Sequence, residues 1–422
     1  MEKPRVIVTT DGEGDDQCSM VRFLLYANGW DIRGLIHSSS KHHWKGNEEI
    51  PEKKWPDPSW LDNQIDQYAL VYENLKEHDA GYPSPENLRE QMFVGNIEYE
   101  GDMEHPTPGS DRIAEVLLEP DLSPVWLQVW GGPNTIARAL KTIEENYPER
   151  MAEVAEKARI FMIAKQDHTW DTYISQVWPK VRTVHCSRTY LAIAYRWRDI
   201  MSEAVQGYFS TAWLAENILK DHGPLCALYP TRPDGSFRSE GDSPAFMHTI
   251  DVGLQNLDRP EFGGWGGRYE WRGSRWVSVP DDGDIYKPIL RWAIAFQNDW
   301  AVRADWCVKE YGDANHPPVV VLSSPGYLKC EKGERVQLDA TGSMDPDGDG
   351  LTFRWWHYPE PGTYRGVVHI DDADEAKATF IMPDDASDGE TIHVICEVID
   401  DGLPSLARYS RVIVEVLKRG ME

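Results

Sequence analysis

The chain opens on an apolar run, RVIVTTD, that ends in acidic and glycine residues. The stretch that follows, QCSMVRFLLYAN, spaces its apolar residues as a helix does, and IRGLIHSSS then reads as a second strand. A strand, an acidic turn, a helix and another strand make the start of a βα unit. VWLQVWGG and ARIFMIA read as further strands, separated by helix-compatible segments such as TIARALKTIEENY. This alternation predicts a mostly parallel sheet flanked by helices, with ligands taken at the carboxyl ends of its strands. Residues 223–285, rich in glycine and tryptophan, read as loops that wrap such a site.

After Asn315-His316-Pro317-Pro318 the pattern changes to short alternating runs separated by Gly, Pro and Asp turns: VVVL, RVQLDAT, LTFRWWHY, GVVHI, ATFIMP, TIHVICEVID and YSRVIVEVLK. Runs of that length and spacing predict an all-β sandwich. The expected organisation is an α/β domain over 1–315 and a β-sandwich domain over 316–422, with the linker at Asp313–Pro318. No repeat at a spacing of about 20–50 residues and no low-complexity tract interrupts it.

Composition narrows the partners. The 422 residues carry 70 acidic and 43 basic side chains, a net charge of -27, and no run of lysine and arginine long enough to meet a polyanion. Nucleic acid and anionic membrane are therefore not expected as partners. There is no apolar run of membrane-spanning length, and MEKPRVIVTTDGEGD lacks the basic start and apolar stretch of a signal peptide. As written the chain is expected in the cytoplasm, or secreted or periplasmic if a leader was removed. Its six cysteines lie far apart without zinc spacing, which predicts buried free thiols. Its 18 tryptophans supply flat faces both for a core and for sugar rings.

The turn after the first strand concentrates Asp11, Glu13, Asp15 and Asp16 within six residues. Like charges at that spacing raise one another's pKa unless a cation neutralises them, and an all-oxygen cluster suits Ca²⁺ or Mg²⁺. The competing reading is an acidic helix start, which accounts for one or two of the four carboxylates through the helix dipole.

The stretch VTTDGEGDDQCSM resembles the amino-terminal fingerprint of the calcium-dependent nucleoside hydrolases, and more closely its variant in a nucleoside-hydrolase-like family described as cellulose-binding. SSSKHHWKGN, VWGGPNTIARAL, and EGDSPAFM with the following GGWGGRYEW resemble that second family too, whose members pair this domain with a carboxyl-terminal sandwich. The resemblance implies that Asp11 and Asp16 bind Ca²⁺, that Asp15 contacts the ion or a sugar hydroxyl, and that Asp11 is the base for the attacking water. It implies a backbone carbonyl ligand at Asn134, although Gly-Gly-Pro-Asn also reads as a plain turn and helix start. Asp242 fits the last ligand, but Gly241 stands where nucleoside hydrolases carry a histidine that helps the leaving base depart. Thr9 replaces an aspartate of the fingerprint, a loss of charge that Glu13 offsets. Relatives of this kind are commonly homo-oligomers.

Other polar groups cluster at predicted strand ends. His42, His43 and Trp44 follow the second strand and suit recognition of a sugar, or simply a polar surface. Gln166 and Asp167 suit vicinal hydroxyls, and His168 suits protonation of a leaving group near neutral pH; a polar loop with a helix cap at Asp167 is the alternative. Glu240 is a second carboxylate beside Asp242 and a further acid or base candidate. Trp265 and Arg268, in GGWGGR, suit a loop closing over a ring, or else a packed corner with Trp265 buried. Asp345-Pro346-Asp347-Gly348-Asp349-Gly350 begins like an EF-hand loop but has Trp356 at position twelve; it resembles the turn of PKD-like and cadherin-like modules and predicts a hairpin. The expected function is that of a calcium-dependent glycoside hydrolase cleaving an N- or O-glycosidic bond of a furanose-like sugar in a nucleoside or glycan. The rival is a carbohydrate-binding protein whose calcium is structural. A metal-dependent phosphohydrolase is disfavoured by the lack of a phosphate-cradling glycine loop.

Overall fold

The computed structural model describes residues 3–417. Its larger sheet is built from β1 (Arg5–Thr10), β2 (Asp31–His37), β3 (Met92–Val94), β4 (Val125–Val129), β5 (Ala158–Ile163), β6 (Arg182–Cys186), β7 (Tyr269–Trp271) and β8 (Trp276–Ser278), in the order β3-β2-β1-β4-β5-β6-β8-β7. All neighbours are parallel except β7 and β8, which form an antiparallel hairpin at the edge. Strands β1, β4 and β5 are buried at every position, because helices cover both faces of the sheet, and so they read as unbroken apolar runs. β3 has only three residues and β6 is RTVHC, with too little apolar patterning to stand out. Residues 223–285, expected as loops, instead contribute helices Gly223–Ala227 and Ser243–Met247 and the β7–β8 hairpin.

The carboxyl-terminal strands are β9 (Tyr327–Cys330), β10 (Arg335–Asp339), β11 (Leu351–His357), β12 (Lys377–Ile381), β13 (Thr391–Asp400) and β14 (Ala407–Val416). They form a four-stranded sheet, β11-β13-β14-β9, and a two-stranded one, β10-β12, around a shared apolar core. Two expected strands are absent. VVVL makes only a bridge from Val319 to Met344, and GVVHI buries Val368 and Ile370 without pairing to a neighbour. The alternation of GVVHI is satisfied by packing alone, which periodicity cannot distinguish from a ladder. β9 fell outside the expected set. The last residue of the run YSRVIVEVLK, Lys418, lies outside the described residues.

The two sheets' surroundings share one apolar cluster: Tyr358, Ile395, Leu406 and Tyr409 pack with Trp292 and Phe246 of the α/β part. At that junction the wholly buried guanidinium of Arg411, on β14, donates to Leu254 O at 2.9 Å, Phe262 O at 2.9 Å and Gly263 O at 3.3 Å. Gly253, at φ 91°, lets the Tyr409 carbonyl pass where a Cβ would lie 1.8 Å from it. Because each abandoned buried acceptor costs about 1–3 kcal/mol, Arg411→Ala should destabilise the chain by about 3 kcal/mol. Urea denaturation checks this, and an unchanged midpoint would show that the three carbonyls find other donors.

Candidate functional site

Strand order reverses between β1 and β4: the chain runs outward to β2 and β3 on one side and to β5 and β6 on the other. Open parallel sheets split at such a point and leave a crevice at the carboxyl ends of the strands. A cleft of about 470 Å³ lies there, lined among others by Glu13, Asp15, Asp16, Trp130, Tyr195 and Asp242. Asp11 follows β1 directly. Gly131 follows β4, and a Cβ there would meet the Asp11 Cβ at 3.0 Å, so glycine is what lets the two strand ends close on each other.

Carboxylate oxygens of Asp15, Asp16 and Asp242 lie within 4.8 Å of one another, bringing the start of helix Gly14–Leu25 against that of helix Ser243–Met247. Asp15 accepts from the Tyr195 hydroxyl at 3.2 Å, and the same hydroxyl is 3.2 Å from Glu13 Oε1. Asp16 accepts from Thr10 Oγ1. One oxygen each of Asp11 and Asp242 is buried with no hydrogen-bond partner. Among the described residues no lysine or arginine forms an ion pair with these four aspartates; His43 Nε2 lies 3.9 Å from Glu13 Oε2, and the Arg238 guanidinium passes over Gly14, where a Cβ would lie 2.4 Å from it. Burial, then the Glu13 and Asp11 charges, push the Asp15 carboxyl up to about 7. Burial and the neighbouring aspartates hold Asp16 and Asp242 well above the usual carboxylate range. The helix-start reading falls short here: Glu13 occupies the N-cap with no side-chain cap bond, and dipole stabilisation alone leaves buried oxygens unmatched. Orphaned, desolvated, all-oxygen donors fit a hard divalent cation held by Asp15, Asp16 and Asp242, with Asp11 beside them.

Of the other expected site residues, Glu13, His42, His43 and Gln166 line the cleft. His42 is exposed at the mouth, its ring pushed below its usual pKa by partial burial. Seven others are corrected. Glu240 is 0% exposed and pairs with Arg22 (Oε2 to Nε, 2.7 Å) while accepting from Tyr229 and Ser243, so it holds the core and has no path to a substrate. His168 is outside the cleft and packs over Gly101, where a Cβ would lie 2.3 Å from its ring. Asp167 is buried beneath the turn and accepts from Asn134 N and from Thr169, so the capping alternative accounts for it; burial pushes its carboxyl up to about 6. Asn134 lies outside the cleft lining, and its side-chain nitrogen is spent on Ser39 Oγ, Asn96 O and Asp102 O, which corrects its expected contact with substrate and leaves the backbone carbonyl, the group expected at the ion, untouched by these bonds. Trp44 lies outside too, donating to Pro51 O under the Lys53 ammonium. Trp265 is buried against Phe296, and Arg268 pairs with Asp281 at 2.6 Å, so GGWGGR is the packed corner.

Tyr195, Tyr190, Trp130, Lys41 and Lys53 are cleft residues that the pattern did not announce. The tyrosines sit on the irregular segment after β6, which carries no periodicity; only the place of Trp130, at the carboxyl end of β4, pointed to it. Gly241 also lines the cleft, and a Cβ there would meet Asp15 Oδ2 at 2.9 Å. A histidine at this position would press on the carboxylate cluster.

A family model described as "Cellulose-binding Sde182, nucleoside hydrolase-like domain" matches residues 5–269, and one described as "Cellulose-binding protein Sde0182, C-terminal domain" matches residues 335–416. Among solved structures, a nucleoside hydrolase-related hypothetical protein from Saccharophagus degradans, associated with carbohydrate metabolism, is 30% identical over 98% of this chain and 100% of that one, with a TM-score of 0.82. The PKD domain of the KIAA 1837 protein is 16% identical over 23% of this chain and 84% of that one; its TM-score of 0.17 carries no argument about the sandwich. No curated protein matches the chain.

The raised Asp15 carboxyl makes a signed prediction for protein stripped of divalent ions. Its proton-linked stability is full below the ordinary value of 3.8 and is lost as pH rises through about 7. Asp15→Asn removes that titration, so the thermal midpoint of the variant should gain on that of the wild type as pH rises from about 5 to about 8. A gap that stays constant with pH would mean that the cluster is not under charge stress.

Proposed function

We propose, because this chain belongs to the family of cellulose-binding, nucleoside hydrolase-like proteins, that its cleft is the active site of a calcium-dependent glycosidase acting on a furanose-like sugar. The observation that carries the reading is the convergence of neighbouring Asp15 and Asp16 with the distant Asp242, beside Asp11, with one buried oxygen each of Asp11 and Asp242 lacking any donor. Ca²⁺, held by Asp15, Asp16 and Asp242, would supply positive charge that orients sugar hydroxyls and makes water a better nucleophile.

The chain's own groups do the rest. Glu13 and Asp15, bridged by the Tyr195 hydroxyl, accept hydrogen bonds from vicinal hydroxyls. The unpartnered Asp11 oxygen takes a proton from water as its oxygen attacks the anomeric carbon. The bond to the leaving group breaks with its electron pair, and His42, at the mouth, returns a proton to the departing atom. Tyr190, half-buried in the cleft lining, supplies an apolar wall against the ring. The second reading, a carbohydrate-binding protein with structural calcium, draws support from the positions of His168, which packs over Gly101, and Glu240, which pairs with Arg22 in the core.

Metal content by mass spectrometry, followed by a panel of nucleosides and aryl furanosides, tests the proposal. The wild type should retain Ca²⁺ and turn over a member of the panel, Asp11→Ala/Asp242→Ala should retain none, and Asp11→Ala alone should lower kcat/KM about 10³-fold. A chain that holds Ca²⁺ and adheres to insoluble glucan, turns over nothing, and is indifferent to Asp11→Ala would sustain the binding reading instead.

A further inference from the structure

Where the chain leaves the α/β core for the sandwich, a second group of oxygens converges. Asp345, Asp347 and Asp349, in the turn before β11, each bring a carboxylate oxygen within 4.8 Å of the others. An acidic turn is no site by itself, and the amides of Asp347 and Asp349 already occupy Asp345 Oδ1, at 2.8 and 3.2 Å. What points to a ligand lies on the facing elements. Asp400, at the end of β13, is 3% exposed; its Oδ1 accepts from Asn315 Nδ2, Gly402 N and Leu406 N at 3.0–3.1 Å, while its Oδ2 is buried with no partner. Asp345 Oδ2 is also a buried oxygen without a partner. Asn315, 6% exposed, is held through Nδ2 by Asp400 and by Pro404 O at 2.9 Å, and leaves its Oδ1 free.

These orphans belong to one place. A Cβ at Gly402 would lie 2.3 Å from Asn315 Nδ2 and 2.5 Å from Asp349 Oδ2, which sets the Asn315 amide beside the aspartate turn. Asp401, next to Asp400, donates its amide to Gly350 O at 3.0 Å and accepts from Gly350 N through Oδ1 at 2.8 Å, which sets the end of β13 beside the aspartate turn. Among the described residues no lysine or arginine pairs with the group, and the nearest basic ring is that of His316, whose Nδ1 is 3.0 Å from Asp347 Oδ1. Three unsatisfied buried oxygens with no cation to meet them are an unusual arrangement in a folded chain.

We propose that Asp345, Asp349 and Asp400, with the side-chain oxygen of Asn315 and with Asp347 at the margin, bind a divalent cation, Ca²⁺ by the all-oxygen donor set. The site is mechanical in consequence. Asn315 and His316 form the connection to the sandwich, Asp347 accepts from His316 N at 2.6 Å, and His316 Nε2 meets His78 Nδ1 at 2.9 Å on helix Ser59–His78. An ion here ties the β11 turn and the end of β13 to the connecting segment, and through His316 to the α/β core.

The site is independent of the cleft, and the test separates the two. Ca²⁺ is titrated calorimetrically into the full chain carrying Asp15→Asn/Asp242→Asn, which disables the cleft. One Ca²⁺ per chain should still bind, and its heat should vanish when Asp345→Asn and Asp349→Asn are added. Absence of binding in the first variant, or binding unchanged in the second, overturns the proposal. Because the fourfold variant can fail to fold, wild-type crystals soaked in Tb³⁺ supply a second reading. An anomalous peak between Asp345, Asp349 and Asp400 is expected, and a peak at the cleft alone overturns the assignment.

Discussion

Asp15, Asp16 and Asp242 converge on one point, Asp16 and Asp242 buried and Asp15 half-buried, their carboxyls pushed up by desolvation and by one another's charge, and among the described residues no lysine or arginine forms an ion pair with them. Burying even one unpaired carboxylate is costly enough that a fold ordinarily neutralises it or leaves it in solvent. Keeping three together, with Asp11 alongside, requires a scaffold that does not relax. That stiffness comes from the fully buried β1 and β4, and from Gly131, which closes their ends on each other. Behind the cluster, the Arg22–Glu240 pair locks helix Gly14–Leu25 to the segment that carries Asp242, with Arg22 stacked over Trp300 at 4.0 Å.

This division of labour explains why Glu240 misleads as a catalytic candidate. It stands two residues from Asp242 in sequence, yet it faces the opposite way, into the aromatic core, where Arg22, Tyr229 and Ser243 satisfy it. A carboxylate with every acceptor used is a strut. A carboxylate with an orphaned oxygen, such as Asp242, is a ligand in waiting.

Much of this architecture was legible in the chain. Strands buried on both faces print continuous apolar runs, so β1, β2, β4 and β5 declared themselves, and four carboxylates within six residues announced the floor of the cleft. The walls were not legible. Tyr195 reaches Glu13 and Asp15 from an irregular segment, and Asp167 and Trp265 look equally functional or structural until their partners are known. Strand ends are where polar residues both cap helices and bind ligands, and local pattern cannot separate those uses. Five of the seven sandwich runs form strands and GVVHI does not, because alternation reports burial on one side and leaves ladder pairing unstated.

On the reading proposed for the cleft, its floor and its wall answer to different selective demands. The floor holds the sugar, and its geometry is dictated by carboxylates that tolerate no displacement. The wall meets the leaving group, and here the chain departs from the nucleoside hydrolase pattern at Gly241, where an added Cβ would lie 2.9 Å from Asp15 Oδ2 and press on the cluster. A histidine cannot be restored there without disturbing the floor. Departure must then be assisted from the opposite rim, by the segment carrying His42 and His43 or by Tyr195, all of which line the same cleft. A site that keeps the sugar end and rebuilds the leaving-group end is arranged to accept the same kind of ring on a different aglycone, and the exposed rim formed by Lys41, Lys53 and His42 is the surface that the aglycone would meet.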